Sequence, residues 1–412
     1  MSPDSVTIRS SPLLIAASDA SGRSKLITRR VAAAPRTHRT IGGVMAGSDS
    51  ERSILILGGG VIGVAIAYHL ALRGVKVTLV DRAGIASCAS GKAGGFLARD
   101  WNDREPGLGA LTRKSFDMHE EVAKKLGLAS YRRLKCMSVQ VDGSSSKPSG
   151  AKLKHLEWTD LGVRQSSSLG DESTIAQVHP RELVDAMWAF AEGQGSAYQQ
   201  GVVERLEYAP DDGSGTRRVA GAVIDGIVVH ADAVVMSMGP WGSVLEQAMG
   251  PMGVRILGIK YHSVLMRTGR ILNEAVFFAG LGDPEVYPRN DGNTYVTGFP
   301  DPPRVVEELP GQVEVREAVC SRLVDTMKKV SSEMDGAEVA MKQSCYLPFT
   351  AQNMGTPCMG KVPKHENAYV ATGHGCWGIL NSLASGLAMS ELILDGKATT
   401  VDLGPFDPQG FV

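Results

Sequence analysis

The sequence predicts an α/β fold that combines a doubly wound parallel sheet with a second, antiparallel sheet. Two units of the order strand, glycine turn and helix, at residues 53–74 and 368–396, predict the parallel sheet, because parallel strands end in such turns before their crossover helices. Residues 254–345 instead contain short strand patterns and an Asn290-Asp291-Gly292 turn, which is typical of antiparallel strands.

The first unit begins with the apolar run 53–57, whose continuous hydrophobicity is typical of a buried parallel strand. Gly58, Gly60 and Gly63 follow in the pattern G-x-G-x-x-G. Such glycines permit a tight turn, a close approach of the backbone to a pyrophosphate, and close packing of the next helix. We therefore predict a dinucleotide-binding turn; the alternative is a glycine-rich turn that binds no ligand.

The helix after this turn is predicted from Val61 to Arg73 and ends at Gly74. Its N-terminal N–H groups and the positive end of its dipole would face the phosphates. The β-branched run 75–80 predicts the next strand, and Asp81 stands at its end. A carboxylate at this place accepts the hydroxyl groups of an adenosine ribose.

The composition is that of an ordinary globular protein. The 412 residues are 43% hydrophobic and 21% charged, with a net charge of -1. This length allows two domains with sizeable cores, and the charge gives no indication of nucleic-acid binding. The six cysteines form no C-x-x-C pair, so we predict a reducing compartment and no metal site. No apolar run reaches the length of a membrane span, so we predict no integral membrane segment.

The first 50 residues differ from the rest of the chain. They contain seven Lys or Arg and three acidic residues, and they are rich in Ser, Thr and Ala. This composition is typical of an organelle transit peptide, with a disordered cytosolic tail as the alternative. The Ser-rich and Ala-rich character favours the plastid (chloroplast) over the mitochondrion.

A second stretch of small residues, 87–96, follows Asp81. Ser90 and the N–H groups around Gly91 to Gly95 are suited to holding a phosphate, and Lys92 adds a cation. A flexible glycine loop is the alternative. The nearby G-x-G-x-x-G turn favours the ligand-binding interpretation.

The rest of the chain alternates between helical and strand patterns. His179 precedes Pro180, the first residue of a predicted helix, and is interpreted as a boundary residue. The predicted helices cover 108–126, 180–192, 314–330 and 379–394. The predicted strands cover 134–141, 201–206, 219–224, 227–230, 233–238, 256–267, 285–289, 293–297 and 368–372.

Four motifs in order identify a family resemblance. They are GGGVIG with Asp81, SCASGKAGGF, AVVMSMGPW and the late YVATGHGCWGI, and together they span about residues 53–396. The chain resembles the D-amino acid oxidase/glycine oxidase/sarcosine oxidase superfamily of FAD-dependent amine oxidoreductases. The tract CASGKAGGFLARDW is most similar to an uncharacterised oxidoreductase branch of plants and fungi.

The resemblance implies a Rossmann-like FAD-binding domain built from discontinuous segments, and an antiparallel-sheet substrate domain. The FAD-binding domain would comprise residues 51–130, 175–250 and 346–412. The substrate domain would comprise residues 131–174 and 251–345, leaving residues 1–50 as the transit peptide or tail.

The resemblance also assigns residues to FAD, with the first turn on the pyrophosphate, the 87–96 loop along the ribityl chain, and the late glycines beside the ring. A helix N-terminus there would stabilise negative charge on the reduced ring. The assigned residues are Gly58, Gly60, Val61, Ile62, Gly63, Asp81, Arg82, Ser90, Gly91, Gly94, Gly95, Val203, Gly239, Gly373, Gly375, Gly378 and Ile379.

The family reaction implies a small-molecule amine or amino-acid substrate. A hydride equivalent passes from a C–H bond next to the amine nitrogen to flavin N5, the imine hydrolyses, and oxygen or another acceptor reoxidises the flavin. The protein orients the C–H bond and neutralises charge, so no obligatory acid/base pair is expected. The choice of amine and the oligomeric state stay open at this point.

Six residues are candidates for contacts with the substrate or the flavin ring: Lys260, His262, Tyr287, Arg289, His374 and Trp377. Alternation along one strand places Lys260 and His262 on the same face, and related oxidases use a lysine over the flavin to activate oxygen. The alternative for Lys260 is an exposed position. Arg289 is suited to a substrate carboxylate, with a cross-strand ion pair as the alternative.

Cys345 lies where sarcosine oxidases with covalently linked flavin place the linking cysteine. Here Ala351-Gln352 stands where that family usually has Pro-Asp. We therefore predict non-covalent FAD and a buried structural Cys345, with a covalent link as the alternative.

Two other functions compete with amine oxidation. A nicotinamide-dependent dehydrogenase would use the first turn alone, and the second glycine–helix unit argues against it. A non-catalytic protein that binds FAD for stability or regulation is the other alternative.

Overall fold

The computed structural model describes residues 52–142, 155–249 and 254–411. The predicted transit peptide or tail at 1–50 lies outside the described residues and stays a prediction. The strands are β1 Ile54–Leu57, β2 Val77–Asp81, β3 Phe96–Ala98, β4 Arg132–Arg133, β5 Lys135–Val141, β6 Val163–Gly170, β7 Ile175–Gln177, β8 Ala197–Gln200, β9 Val203–Tyr208, β10 Val219–Ile224, β11 Ile227–His230, β12 Ala233–Met236, β13 Ile256–Arg267, β14 Glu274–Ala279, β15 Glu285–Pro288, β16 Asn293–Gly298, β17 Glu338–Thr350, β18 Cys358–Lys361 and β19 Ala368–Thr372. The helices are α1 Val61–Leu72, α2 Pro106–Leu126, α3 Pro180–Gly193, α4 Ser243–Met249, α5 Glu317–Lys328, α6 Ser332–Asp335 and α7 Gly378–Asp395.

The predicted parallel sheet is present, with the order β8-β2-β1-β12-β19 and β18 added antiparallel at its edge. The central strand β1 is buried on both faces. Ile54 and Ile56 pack with α1, α3 and α7, whereas Leu55 and Leu57 pack with α4 and the β9-β10-β11 sheet. This two-sided burial explains why the strand is continuously apolar instead of alternating.

Helices α1 and α7, one from each strand–glycine–helix unit, cross closely beneath the sheet. A Cβ added at Gly386 would lie 2.6 Å from the backbone carbon of Ala65, so only glycine allows this approach. Within the described ranges, one helical stretch, Gly375–Asp395, is long and apolar enough to span a membrane. Because 67% of it is buried inside the protein, it is weak evidence for a membrane span.

The second sheet has seven strands in the order β17-β13-β16-β15-β14-β5-β6, and its neighbours are antiparallel except for β5 and β14. A separate three-stranded sheet has the order β3-β7-β4. Strand β17 pairs with β13 along its whole length, from Glu338 to Thr350. The domain boundary predicted between residues 345 and 346 therefore falls inside a strand, and the antiparallel sheet continues to Thr350.

A buried histidine joins α2 to the start of α7 and should make the stability sensitive to acid. His119 Nε2 lies 3.1 Å and 3.0 Å from the carbonyl oxygens of Ile379 and Leu380. Burial lowers the pKa of His119 from 6.5 to about 4, although the two carbonyl contacts oppose that shift. The stability that the neutral ring contributes is therefore present above pH 6.5 and is lost as the pH falls toward 4.

We expect His119 to remove about 2 kcal/mol from the free energy of unfolding between about pH 7 and pH 5. The variant His119→Gln keeps an N–H donor but does not titrate, so its stability should fall less over the same range. Urea unfolding of both proteins at the two pH values measures the difference. Parallel pH dependences for wild type and variant would contradict this assignment.

Candidate active site

One cavity joins the two glycine–helix units to the antiparallel sheet. Its volume is about 350 Å³. Its walls include Gly58 and residues 60–62 on one side, residues 373–376 with Gly378 and Ile379 on the other, and Leu347 and Pro348 from β17. The carboxyl ends of parallel strands meet at this edge of the sheet, which is where α/β folds bind nucleotides.

The turn after β1 is fixed by its glycines. Gly58 has φ of +112°, and a Cβ there would lie 2.4 Å from the carbonyl oxygen of Ser237. Its N–H donates to the Val80 carbonyl at 2.8 Å. The turn therefore brings bare backbone to the cavity, as the G-x-G-x-x-G pattern predicts.

The N-terminus of α1 faces the cavity and contains no acidic residue in its first turn. Ser90 Oγ accepts a hydrogen bond from the Val61 N–H at 2.8 Å, and a Cβ on Gly60 would lie 3.2 Å from that oxygen. The helix end thus offers N–H groups and a positive dipole end at close range. Both features suit a pyrophosphate.

Asp81 organises the same region from the end of β2. Its Oδ2 accepts from the Gly59 N–H at 2.8 Å, and its Oδ1 accepts from the N–H groups of Ala83 and Gly84 at 2.7 Å and 3.0 Å. Carboxylate oxygens have further acceptor capacity, so ribose hydroxyls can also bind here. Arg82 and Val203, both predicted to contact the nucleotide, line the cavity near this carboxylate.

Gly63 does not line the cavity, and its role lies in helix packing. A Cβ there would lie 2.1 Å from the Gly58 carbonyl oxygen and 2.6 Å from Ser237 Oγ. We expect Gly63→Ala to lower the free energy of unfolding by about 1–3 kcal/mol, because the methyl group has no space. Urea unfolding measures this loss.

The matched control for that variant is Gly193→Ala, at the end of α3. A Cβ at Gly193 would meet no atom within 4 Å, so this variant should keep or slightly raise the stability. Equal stabilities for the two alanine variants would show that the close contact at Gly63 is relieved without cost.

The 87–96 loop is only partly a ligand surface. Ser90 lines the cavity, but Gly91, Gly94 and Gly95 do not. Their missing side chains make room for protein atoms instead: an added Cβ would lie 2.0 Å from the Ala86 oxygen, 2.3 Å from the Tyr287 ring and 1.9 Å from the Val178 oxygen, respectively. These three glycines therefore allow close packing behind the cavity wall, and their predicted contacts with the cofactor stay predictions.

The second glycine turn places His374 and the start of α7 at the cavity. Gly373, Gly375, Gly378 and Ile379 all line it, as does Gly239 after β12. Helix α7 has no acid in its first turn and no side-chain cap. Gly239 and Thr372 are joined by a 3.2 Å hydrogen bond from Thr372 Oγ1.

His374 is a neutral group at this wall. Its Nε2 lies 3.1 Å from Ser385 Oγ, and its Nδ1 is buried without a hydrogen-bond partner among the described residues. Burial lowers the pKa of His374 to about 3. The imidazole is therefore uncharged at neutral pH and can act as a hydrogen-bonding group but not as a cation.

Lys260 and His262 lie on one face of β13, as predicted, and both contact the loop that connects β16 to α5 (residues 299–316). Lys260 Nζ lies 3.0 Å from Glu308 Oε1, and His262 Nε2 accepts from the Arg316 N–H at 3.0 Å. The exposed alternative for Lys260 is wrong, because the residue is 1% exposed. Neither side chain lines the cavity; Glu308 does.

Tyr287 and Arg289 form a packed layer behind the 87–96 loop. The Tyr287 ring stacks between Phe96 and Tyr295, and its hydroxyl donates to the Glu285 carboxylate. Arg289 Nη2 donates to the Ala93 carbonyl at 2.9 Å. The guanidinium is thus held by a backbone carbonyl, and its Nη1 lies 3.3 Å from His179 Nε2. Within the described ranges Arg289 forms no ion pair, and its contact with a substrate carboxylate stays a prediction.

Trp377 and Cys345 also lie outside the cavity lining. Trp377 is half-buried and packs edge-on against Trp101, with ring centroids 6.2 Å apart. Cys345 is fully buried, as the structural interpretation predicts. The roles predicted for Trp377, Tyr287, Arg289, Lys260 and His262 in catalysis stay predictions.

The part of the cavity that the 299–316 loop supplies was not predicted from the sequence. Residues 306–310 line the cavity, and Trp241 Nε1 donates to the Glu308 carbonyl at 2.7 Å. The segment has no periodicity and several prolines, so its local pattern predicts only a loop. The Lys260–Glu308 ion pair, which spans 48 residues, connects this loop to β13.

Comparisons with known proteins agree with this geometry. The profile of the family described as DAO, FAD dependent oxidoreductase, matches residues 53–392. A Schizosaccharomyces pombe protein described as an oxidoreductase is 30% identical over 391 residues, covering 88% of this chain and 99% of that protein. The glycine oxidase of Geobacillus kaustophilus is 25% identical over 381 residues, covering 86% of this chain and 95% of that protein.

Solved structures share the fold. The crystal structure of glycine oxidase from Geobacillus kaustophilus matches with a TM-score of 0.71 and 20% identity, over 87% of this chain and 99% of that chain. L-proline dehydrogenase from P. horikoshii matches with a TM-score of 0.70 and 17% identity, over 88% of this chain and 98% of that chain. The mixed fold, with a parallel sheet beside an antiparallel one, is thereby confirmed.

Proposed function

The chain belongs to the DAO family of FAD dependent oxidoreductases, and from this premise we propose that it oxidises a small amine or amino acid. The bond oxidised is a C–H bond next to the amine nitrogen, and the resulting imine hydrolyses in water. Oxygen or another acceptor then takes up the electrons. Glycine oxidase and L-proline dehydrogenase, which share the fold, support this substrate class by their names.

The residues of the cavity fit FAD at both ends. The pyrophosphate would be held by the turn at Gly58 and the N-terminus of α1, which offer N–H donors. The ribose would be held by Asp81, whose carboxylate accepts hydrogen bonds from hydroxyl groups. The family makes FAD the cofactor, so the nicotinamide alternative is wrong. When bound, FAD supplies the hydride acceptor.

The single observation that carries the proposal is that two helix N-termini face one cavity. The N-terminus of α1 suits a pyrophosphate, and the uncapped N-terminus of α7 lies at the other end, beside the antiparallel sheet. Positive dipole ends at both places match a ligand that has phosphates at one end and gains negative charge at the other. The neutral His374 adds a hydrogen-bonding atom there without adding charge.

The substrate side of the cavity would be formed by β17 and the 299–316 loop. Leu347 and Pro348 give it an apolar floor, and Trp241 and Glu308 stand at its rim. An apolar surface with few polar groups excludes water and orients a small substrate. The protein would thus contribute orientation and charge placement instead of a proton-transfer pair.

Anaerobic mixing of the FAD-loaded protein with candidate amines tests the proposal. Glycine, sarcosine, L-proline and D-alanine represent amines of different pocket shape, and at least one should bleach the flavin absorption. The control is chemical reduction with dithionite, which must bleach the same sample. A protein that dithionite bleaches but that no amine or amino acid reduces would contradict the proposal and favour the non-catalytic FAD-binding alternative.

A further inference from the structure

The 299–316 loop belongs to the antiparallel sheet by its position in the chain, but it forms part of the cofactor cavity. It follows β16, which ends at Gly298, and it precedes α5, which begins at Glu317. Residues 306–310 of the loop line the same cavity as the turn at Gly58 and the start of α1. A ligand that fills this cavity therefore touches the loop as well as the phosphate-binding turn.

The loop is firmly attached to β13 of the antiparallel sheet. Gly258 and Arg304 exchange two backbone hydrogen bonds, of 2.7 Å and 3.0 Å. Lys260 Nζ lies 3.0 Å from Glu308 Oε1, and this lysine is 1% exposed. A buried ion pair is costly to break, because separation leaves a charge without a partner in a nonpolar environment. These attachments therefore persist when weaker contacts of the loop are lost.

The middle of the loop reaches across to the FAD-binding half of the protein, which comprises the parallel sheet and its helices. The indole N–H of Trp241, which follows β12, donates to the Glu308 carbonyl at 2.7 Å. A Cβ added at Gly311 would lie 3.2 Å from the Cβ of Ala83, two residues after Asp81. These are a neutral hydrogen bond and a van der Waals contact, so they break more easily than the attachments to β13.

We propose that the 299–316 loop is a strap that retains FAD in the cavity. Its separation from Trp241 and Ala83 is the step that opens the cavity, and its attachments to β13 return it to the closed position. The inference goes beyond the proposed function, because it concerns exchange of the cofactor and requires no amine. A protein that oxidises no amine would still show or lack this control of FAD exchange.

A disulfide across the opening tests the proposal in the full chain. The double variant Ala83→Cys with Gly311→Cys is loaded with FAD and oxidised, and peptide mapping without reduction verifies the bond between positions 83 and 311. A disulfide joins Cβ atoms about 3.5–4.5 Å apart, so a shift of a few tenths of an ångström from the observed 3.2 Å lets the bond form. Exchange of bound FAD against radiolabelled FAD is then measured before and after dithiothreitol.

We expect the bond to slow FAD exchange about tenfold or more, because a cavity that cannot open has no population competent for exchange. Dithiothreitol should restore the rate. Wild type treated with the same oxidant is the control for the natural cysteines, and its rate should not change. Cross-linked protein that exchanges FAD as fast as its reduced form would overturn the proposal.

A second variant provides a test without a new disulfide, since Gly311 has φ of +79° and a cysteine there adds backbone strain. Trp241→Phe removes the indole N–H but keeps an aromatic ring. A looser strap should accelerate both association and dissociation of FAD, each by about threefold to tenfold, and should change the dissociation constant less than either rate. Stopped-flow flavin fluorescence measures both rates. Faster dissociation with unchanged association would mean that Trp241 only contacts bound FAD, and would overturn the strap.

The matched control is Trp158→Phe. Trp158 also donates its indole N–H to a backbone carbonyl, that of Glu274 at 2.8 Å, but it is buried away from the cavity lining. This variant should keep the wild-type rates of FAD association and dissociation. Equal accelerations in the two tryptophan variants would show that general loosening of the protein speeds exchange, and would contradict the proposal.

Discussion

Replacement of Asp81 by alanine is expected to weaken FAD binding by about 100-fold, which corresponds to about 2.7 kcal/mol. The carboxylate accepts hydrogen bonds from the N–H groups of Gly59, Ala83 and Gly84, at 2.7–3.0 Å. A hydrogen bond to a charged group contributes about 1.5–3 kcal/mol, so loss of all three loosens the turn that faces the pyrophosphate. The variant also lacks the acceptor for the ribose hydroxyls. Titration of the apoprotein with FAD, followed by flavin fluorescence, measures the loss.

Two control variants test whether FAD binding needs the negative charge of this carboxylate and its position at the cavity. Asp81→Asn keeps one oxygen for part of the loop but turns an NH₂ group toward the other amides, so its affinity should fall between wild type and alanine. Asp171→Ala removes a carboxylate that accepts from the Ser173 N–H at 2.9 Å in an exposed turn that does not line the cavity. It should bind FAD as wild type does. Wild-type affinity in Asp81→Ala would contradict the role assigned to the turn.

The parts of the fold that could be predicted are those specified by short stretches of sequence. The G-x-G-x-x-G turn places α1 at Val61–Leu72, within one residue of the helix predicted from Val61 to Arg73. The hairpin of β10 and β11 has the bounds predicted for it. In each case the local pattern and the tertiary burial require the same residues, so the local signal suffices.

Strands that depend on distant partners were not predicted. Strand β17 includes Lys342, Gln343 and Ser344, which interrupt any simple alternation, and it is a strand because it pairs along its length with β13. Strand β6, with the sequence VRQSSSLG, is largely exposed at the edge of the sheet. Its residues have little apolar surface to bury, so only its pairing with β5 shows that it is a strand.

The residues of the candidate site also differ in how far the sequence alone predicts their surroundings. Gly58 and Gly94 are both glycines because a side chain would clash, but Gly58 faces the cavity whereas Gly94 faces the Tyr287 ring. A sequence pattern reports the need for a missing Cβ and does not report what fills the space. Gly58 therefore lines the cavity, whereas Gly91, Gly94 and Gly95 make room for protein atoms, and their contacts with the cofactor stay predictions.

The partners of charged residues were not predicted, because they come from a loop that has no regular sequence pattern. Lys260 on a strand suggests an exposed or cofactor-facing lysine, yet the 299–316 loop folds over it and supplies Glu308. Glu308 also accepts from the Glu314 N–H at 2.8 Å and from the Tyr346 hydroxyl. One carboxylate thus connects the loop, β13 and β17 at the rim of the cavity.

Glu308→Gln is consequently expected to lower the free energy of unfolding by about 2–4 kcal/mol, because it leaves a buried ammonium group without its main counter-charge. Lys260 is 2% exposed at its side chain, and the other carboxylate near it, Glu314, lies 3.7 Å away on a side chain that is 68% exposed. The Glu308 side chain is 26% exposed, so the loss of unfolding free energy should not exceed the loss caused by breaking a fully buried ion pair. Urea unfolding at neutral pH measures it.

The pH dependence gives the same variant a second readout. Burial acts to raise the pKa of Glu308, but hydrogen bonds from Tyr346, the Glu314 amide and Lys260 outweigh it and bring the pKa to about 2. The stability from this carboxylate is present above its ordinary pKa of 4.5 and is lost as the pH falls toward 2. The difference between wild type and Glu308→Gln should therefore shrink over that range.

Two comparisons decide whether the buried charge causes the loss. In the double variant Lys260→Met with Glu308→Gln, the unpaired ammonium is gone, so most of the stability should return; a double variant no more stable than Glu308→Gln would contradict the argument. Asp395→Asn breaks the exposed pair with Arg73, 2.7 Å in length and with side chains 37% and 45% exposed. It should cost at most about 1 kcal/mol. A loss of stability in Asp395→Asn as large as that in Glu308→Gln would mean that burial does not distinguish the two pairs. A small loss in Asp395→Asn, together with a large loss in Glu308→Gln that the double variant restores, would identify the Lys260–Glu308 pair as what holds the 299–316 loop over the cavity.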